Sequence, residues 1–156
     1  MKIKAYAKIN LCLKVFKKDN ESKHQIDSVL LLYKKLFDTI KIKKNKTFSI
    51  SYFYRKQKIE VENCLVTKTI NYLKEKFQLD CNYKIIIKKK IPFGSGLGGG
   101  SSDAASIINF LIEGKEINLD LRDIALKLGS DIPFFLSGYK IARARNYGEL
   151  VSPIYN

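Results

Sequence analysis

The chain has 156 residues, of which 46% are hydrophobic and 28% are charged, and its formal net charge is +14. This length fits a single domain, and the composition excludes an intrinsically disordered chain. Lysines interrupt the N-terminal stretch, which therefore predicts no signal peptide, and no apolar run reaches the length of a membrane span. The sequence predicts a soluble, cytoplasmic protein that has no membrane partner.

The high positive charge is spread along the chain and forms no single basic stripe. Only the segment YFYRK at 52–56 interleaves aromatic and basic residues as RNA-binding proteins do. We therefore expect no nucleic-acid partner. The three cysteines, Cys12, Cys64 and Cys81, lack metal-ligand spacing, which predicts reduced thiols and no metal held by protein ligands.

The first predicted element is a strand, because residues 5–15 alternate with period two. Lys8 and Asn10 then point from the same face, about 7 Å apart. The opposite face is expected to carry the apolar side chains of Ala5, Ala7, Ile9, Leu11, Leu13 and Val15.

Further strands are predicted at 38–43, 47–54, 83–92 and around 139–145, in chain order with three helices. Asn63 is expected to cap the first helix, whose apolar face holds Val66, Ile70, Leu73 and Phe77. The second helix follows the glycine-rich segment and reaches Gly114, and the third runs over 118–128 and stops at Gly129. This order predicts an α+β domain with its helices on one side of a sheet.

The segment IPFGSGLGGGSSDAAS, residues 91–106, holds five of the nine glycines in the chain. A strand is predicted before it and a helix after it. Backbone amides in such a loop can approach an anion, and the helix N-terminus adds roughly half a positive charge. The segment therefore predicts a phosphate-binding loop.

Four other interpretations of this segment find less support: a linker, a dinucleotide site, a P-loop and a protein kinase. A flexible linker seldom lies between the strand and the helix of one unit. Gly94-x-Gly96-x-x-Gly99 satisfies the dinucleotide fingerprint, but no strand ending in an acidic residue follows it. No Gly-Lys-Ser/Thr follows either, which excludes the P-loop, and the sequence has no HRD or DFG signature of protein kinases.

The longer string Pro92-x-Gly94-x-Gly96-Leu97-Gly98-Gly99-Gly100-Ser101-Ser102 resembles the ATP-binding loop of the GHMP kinases. Within that superfamily it looks most like the 4-diphosphocytidyl-2-C-methyl-D-erythritol kinases. AKINL at 7–11 and GSDIPFF at 129–135 resemble the same family. The resemblance implies the ribosomal S5 domain 2-like α+β sandwich, with residues 1–156 forming the GHMP kinase N-terminal ATP-binding domain. Family members continue into a C-terminal domain, which we expect this chain to lack.

The resemblance also implies roles for single residues. Asp131 would accept the proton of the substrate hydroxyl and Lys8 would neutralise developing charge, whereas Asn63 would lie near adenine. Asn10 and His24 would bind the substrate, 4-diphosphocytidyl-2-C-methyl-D-erythritol (CDP-methylerythritol), whose 2-hydroxyl is phosphorylated in the non-mevalonate isoprenoid pathway. ATP with Mg²⁺ would be held by Pro92, Phe93, Gly94, Ser95, Gly96, Leu97, Gly98, Gly99, Gly100, Ser101 and Ser102, with Ser101 or Ser102 near the metal.

Several alternatives remain open at this point. From the residues alone, Lys8 could be a solvated strand lysine and Asp131 a helix N-cap. Lys23 stands where the family has an aromatic residue, which weakens the cytidine assignment and leaves His24 as a lone loop histidine. A kinase of the mevalonate or homoserine type, or a truncated non-catalytic domain that binds ATP or RNA, would also fit the sequence.

Overall fold

The computed structural model describes residues 1–18, 24–61 and 64–154. Within these ranges seven strands form one mixed sheet that is accompanied by four helices. The strands are β1 (Lys2–Lys18), β2 (His24–Lys44), β3 (Ser49–Tyr54), β4 (Gln57–Ile59), β5 (Tyr83–Lys89), β6 (Ile141–Asn146) and β7 (Leu150–Pro153). The helices are α1 (Leu65–Phe77), α2 (Gly99–Ile112), α3 (Leu121–Lys127) and α4 (Ile132–Ser137). The predicted α+β class is confirmed.

The long strand β2 organises the sheet. One edge of β2 pairs with β1, and its other edge pairs with β6 through residues 26–31 and with β5 through residues 39–44. β3 then joins β5 in parallel, which requires a crossover that contains α1. Of β2, only residues 38–43 were predicted from the sequence, and the short strands β4 and β7 were missed.

The predicted alternation along β1 is wrong beyond its first residues. Ala5 and Ala7 are buried as expected, but Leu11, Leu13 and Val15 are more than half exposed. The register shift between Asn10 and Cys12, where β1 has one residue more than β2, explains this difference, because an extra residue changes which face the following side chains occupy. At the other register shift, between Tyr6 and Ala7, the extra residues lie in β2, and Ala7 and Lys8 are both buried.

The helix starts also differ from the predictions by a few residues. α1 begins at Leu65, and its N-cap is Cys64, whose thiol accepts from the Thr67 amide; Asn63, the predicted cap, lies outside the described residues. α3 begins at Leu121 because the carboxylate of Asp120 caps it. The predicted apolar face of α1 is confirmed at Val66, Ile70 and Leu73, which are buried. Phe77 is half-buried and packs against the same core.

One apolar core joins α1 and α2 to the inner face of the sheet. Ile40 of β2, Ile85 and Ile87 of β5, and Ile107 and Ile108 of α2 are all buried in it. Lys84 and Lys88, which flank Ile85 and Ile87 in β5, are exposed on the opposite face. No helix within the described ranges is long and apolar enough to cross a membrane.

Candidate active site

A cleft of about 410 Å³ lies where the glycine loop meets β1, α1, α2 and α4. Lys8 and Asp131, which are far apart in the sequence, both line this cleft. Nine of the eleven predicted loop residues also line it: Pro92, Phe93, Gly94, Ser95, Gly96, Gly98, Gly99, Gly100 and Ser101. The fold thus gathers the three sequence segments that carry the family resemblance at one place.

The loop between β5 and α2 takes its shape from backbone conformations that favour glycine. Gly94, Gly96 and Gly98 all have φ between +67° and +73°. The Ser95 hydroxyl donates to the Pro92 carbonyl at 2.8 Å, which closes the first turn of the loop. The Lys8 amide donates to the Leu97 carbonyl at 2.9 Å. Leu97 therefore fixes the loop to β1 through its backbone, although it does not line the cleft.

The N-terminus of α2 is built in a way that suits a phosphate group. Its N-cap is Gly98, and no side chain within the described residues caps the helix. The first amide that bonds back to the cap is that of Ser102, which donates to the Gly98 carbonyl at 2.8 Å. The three preceding amides, those of Gly99, Gly100 and Ser101, lie in the first turn, where amide groups have no intrahelical acceptor. They and the helix dipole favour an anion.

The cradle around this helix start leaves no room for side chains at two glycines. A Cβ atom on Gly99 would lie 2.9 Å from Cγ2 of Ile91, and one on Gly98 would lie 2.9 Å from Cγ of Lys8. By contrast, Gly94 and Gly96 face open space. A triphosphate needs an open side from which it can approach the backbone amides closely, and a helix start that is held rigidly. The residues present provide both features and therefore fit the triphosphate of ATP.

Lys8 is held between a carboxylate and an amide at the edge of the cleft. Its ammonium Nζ lies 3.3 Å from Oδ2 of Asp131 and also donates to Oδ1 of Asn10. The Asn10 amide in turn donates to the Ser28 hydroxyl at 2.8 Å. Lys8 is only 4% exposed, so it is not a solvated strand lysine. The prediction that Lys8 and Asn10 share a face is confirmed.

Asp131 occupies the N-cap position of α4, but its carboxylate makes no capping hydrogen bond. The carboxylate faces Lys8 instead, and a quarter of the Asp131 side chain is exposed. Pro133 lies in the first turn of α4 and lacks an amide hydrogen, which reduces the need for a cap. The side chain of Asp131 is thus free to interact with a molecule in the cleft.

A buried ionic cluster that was not predicted from the sequence lies beneath the cleft. The Lys89 ammonium donates to Asp38 at 2.5 Å and to Asp103 at 2.7 Å, and all three side chains are at most 3% exposed. Asp38 also accepts the amides of Lys90, at 2.5 Å, and of Ile91, at 2.9 Å. The cluster therefore fixes the point where β5 ends and the glycine loop begins.

The titration of the cluster reflects its burial. Burial raises the pKa of Asp103 to about 7, although the Lys89 ammonium opposes this. Burial lowers the pKa of Lys89, but the Asp103 and Asp38 carboxylates outweigh it and raise that pKa above its ordinary value. The signal for the cluster was present in the sequence, because the inward-facing positions of β5 are Ile85, Ile87 and then Lys89.

Five predicted binding residues do not line the cleft or cannot be placed there: Asn10, His24, Asn63, Leu97 and Ser102. His24 is the first residue of β2 rather than a loop residue, and its Nδ1 lies 2.8 Å from the Phe16 carbonyl oxygen. The side chain of Ser102 is buried within α2. Asn63 lies outside the described residues, although its neighbours Val61 and Cys64 line the cleft.

The turn before β7 supports the segment that carries Asp131. Gly148 has a φ of +99°, and a Cβ atom there would lie 2.0 Å from the carbonyl oxygen of Ser130. We expect Gly148→Ala to displace this segment and to lower the midpoint of thermal unfolding by about 5 °C or more, since such a collision with backbone costs ~2 kcal/mol or more. Gly138→Ala is the matched control, because Gly138 has a φ of +73° but open space around it. Equal losses in both variants would contradict the collision.

Comparison with known proteins agrees with this arrangement. The family described as "GHMP kinases N terminal domain" matches residues 64–139. A crystal structure of 4-(cytidine 5'-diphospho)-2C-methyl-D-erythritol kinase superposes with a TM-score of 0.74 at 30% identity, covering 99% of this chain and 55% of that one. Residues 64–139 thus match the GHMP kinase N-terminal domain, and the chain as a whole has the fold of that domain.

The chain is similar along nearly all of its length to proteins named 4-diphosphocytidyl-2-C-methyl-D-erythritol kinase. The one from Ureaplasma parvum is 40% identical over 158 aligned positions, which cover 99% of this chain and 60% of that protein. The one from Thermosipho africanus is 38% identical over 97% of this chain and 54% of that protein. The chain thus spans somewhat more than half the length of these relatives.

Proposed function

We propose that the chain is the ATP-binding part of a kinase that transfers a phosphoryl group from ATP to an alcohol. One observation carries this proposal: Lys8 and Asp131 form an ion pair in the same cleft as the glycine loop and the N-terminus of α2. A phosphate-binding loop alone would serve many functions. A buried cation paired with a partly exposed carboxylate suits phosphoryl transfer to a hydroxyl.

The glycine loop and the first turn of α2 provide the phosphate site. Amides of Gly99, Gly100 and Ser101 donate to phosphate oxygens, and the open space around Gly94 and Gly96 admits the nucleotide. When Mg²⁺ is bound with ATP, it neutralises phosphate charge, and Ser101 is the cleft hydroxyl nearest the helix start that could assist in holding it. Among the described residues, no group of three or more His, Cys, Asp or Glu side chains could hold a metal ion by itself.

Asp131 and Lys8 act on the hydroxyl of the acceptor. The Asp131 carboxylate accepts the hydroxyl proton as the oxygen attacks the γ-phosphorus of ATP, so that positive charge does not build up on the attacking oxygen. The bond between the γ-phosphorus and the β–γ bridging oxygen breaks in the same transfer, and ADP leaves. The Lys8 ammonium, held by Asn10, stays close enough to neutralise charge that develops between the carboxylate and the phosphoryl group. Burial of Lys8 strengthens this effect because the surroundings exclude water.

We propose CDP-methylerythritol as the acceptor, on the basis of the relatives' names and the three segments that resemble that family. Asn10 remains the proposed contact for the methylerythritol end, because its side chain accepts a hydrogen bond from the Lys8 ammonium. His24 at the start of β2 remains the proposed contact for the cytidine end. The part of the relatives that this chain spans would supply the nucleotide site, Lys8 and Asp131 but not every substrate contact.

The proposal is tested by measuring ADP release from Mg-ATP with CDP-methylerythritol, for the wild type and for Asp131→Asn. We expect release that requires the acceptor and that falls by at least ~100-fold in the variant, with ATP binding retained. Mevalonate and homoserine serve as alternative acceptors. Turnover with either of them in place of CDP-methylerythritol would contradict the acceptor, and transfer that does not depend on Asp131 would contradict the mechanism.

A further inference from the structure

The sheet carries a second groove, of about 720 Å³, on the face that α1 and α2 leave open. Its floor is formed by Lys41 of β2, Phe53 of β3, and Ile86 and Lys88 of β5, whose neighbours in sequence point into the apolar core. We call this surface the basic sheet face. It is lined by Lys41, Phe53, Tyr54, Arg55, Lys56, Ile86, Lys88 and Lys90, together with part of Lys89.

Strand pairing extends the positive charge across the sheet. One row of paired residues crosses the sheet from β1 to β4 and consists, in order, of Lys4, Thr39, Lys88, Phe53 and Lys58. Residues paired in register project from the same face of a sheet. The adjacent row consists of Lys2, Lys41, Ile86 and Ser51. The lysines that looked scattered in the sequence are therefore gathered by the fold.

The charge of this face is not balanced locally. Lys41, Arg55, Lys56, Lys88 and Lys90 are all exposed. Of the residues that the structure describes, no aspartate or glutamate lines the groove. Unbalanced cations spaced along neighbouring strands attract a ligand that carries a series of negative charges.

Aromatic rings lie within and beside the same groove. Phe53 stands between Lys88 and Lys58 in the paired row, and Tyr54 packs edge-on against Phe93, with ring centroids 6.4 Å apart. The guanidinium of Arg55 lies 5.3 Å from the Tyr54 ring centroid. Phe93, which is 54% exposed, lines the neighbouring cleft rather than this groove. Alternating aromatic and basic groups on an open sheet suit bases that stack and phosphates that pair.

We propose that the basic sheet face binds single-stranded nucleic acid. The aromatic rings favour this ligand over an anionic lipid surface or an acidic protein, because unpaired bases can stack on the rings while the linked phosphates pair with the neighbouring cations. The proposal departs from the expectation, drawn from the scattered charge in the sequence, that nucleic acid is not a partner. It does not rest on the proposed kinase function, since Lys41, Phe53 and Lys88 lie outside the cleft that holds Lys8 and Asp131.

The charge contribution is tested by fluorescence anisotropy with a labelled single-stranded oligouridine, titrated over a range of salt concentrations. The variant K41Q/K88Q is expected to bind at least about tenfold more weakly and to lower the slope of log K against log salt by about 1.4, or ~0.7 for each lost phosphate contact. The control K68Q/K140Q removes the same charge from exposed lysines away from this face. Equal losses in the two double variants would overturn the proposal.

The stacking contribution is tested with Phe53→Leu, which keeps an apolar side chain of similar size. We expect about tenfold weaker binding of oligouridine with an unchanged salt slope, and no change in binding of inorganic polyphosphate. Far-ultraviolet circular dichroism and the unfolding midpoint verify the fold. If Phe53→Leu has no effect and polyphosphate competes fully, the face is a general anion surface and the proposal fails. Binding of phosphatidylserine vesicles with no binding of oligouridine would also overturn it.

Discussion

Replacing Lys89 with methionine is expected to destabilise the protein by about 3–5 kcal/mol. The change would leave the carboxylates of Asp38 and Asp103 buried without their cation. Methionine keeps most of the side-chain volume, so loss of packing contributes little. Urea unfolding followed by circular dichroism measures the difference in the free energy of unfolding.

Two further variants separate the ionic effect from other consequences. Lys88→Met changes the preceding residue of β5, which is exposed, and we expect its effect to stay within ~0.5 kcal/mol. The triple variant that adds Asp38→Asn and Asp103→Asn to Lys89→Met is expected to recover part of the stability, because no buried charge is left unpaired. A Lys89→Met protein as stable as the wild type would show that the cluster does not contribute to the fold.

Gly98→Ala is expected to weaken Mg-ATP binding by about a hundredfold. The added methyl group would meet Lys8 at 2.9 Å and Phe135 at 3.0 Å, and the residue would have to keep a φ of +70°. The start of α2 would shift, so that amides of the first turn no longer reach the phosphate groups. Loss of two charge-assisted hydrogen bonds, at ~1.5 kcal/mol or more each, accounts for this factor.

Gly138→Ala serves as the control for this substitution, measured by isothermal titration calorimetry of both variants. Gly138 has a φ of +73° and open space around it, and it does not line the cleft. The conformational cost of an alanine with positive φ is therefore matched, and only the collision at the helix start differs between the two variants. We expect no measurable change in Mg-ATP binding for Gly138→Ala. A similar loss of binding in both variants would indicate that the strained backbone, rather than the crowded helix start, limits binding.

The position of the cleft could be predicted from the sequence because its residues fall in local patterns. A glycine loop between a strand and a helix can be recognised without tertiary information. The family resemblance then predicted that Lys8 and Asp131 belong to the same site as this loop. The pair is close in the structure, with the two groups 3.3 Å apart. Its chemical roles remain proposals, which Asp131→Asn tests.

Features that depend on pairing between distant strands could not be predicted in the same way. The irregularities of β1 that expose Leu11 and Leu13 arise from its register with β2, which no local period reports. Asp38 and Lys89 meet across β2 and β5, although 51 positions separate them in sequence. The basic sheet face is another example, since its lysines come from strands that are distant in the chain.

The measurement that tests the central claim most directly is a titration of the isotope-labelled chain with Mg-ATP, followed by amide chemical shifts in NMR. We predict saturable shifts concentrated at Gly94, Gly96 and Gly98–Ser101, with smaller changes at Lys8. Changes confined to the strands of the basic sheet face, or no saturable change at all, would contradict a nucleotide site at the glycine loop.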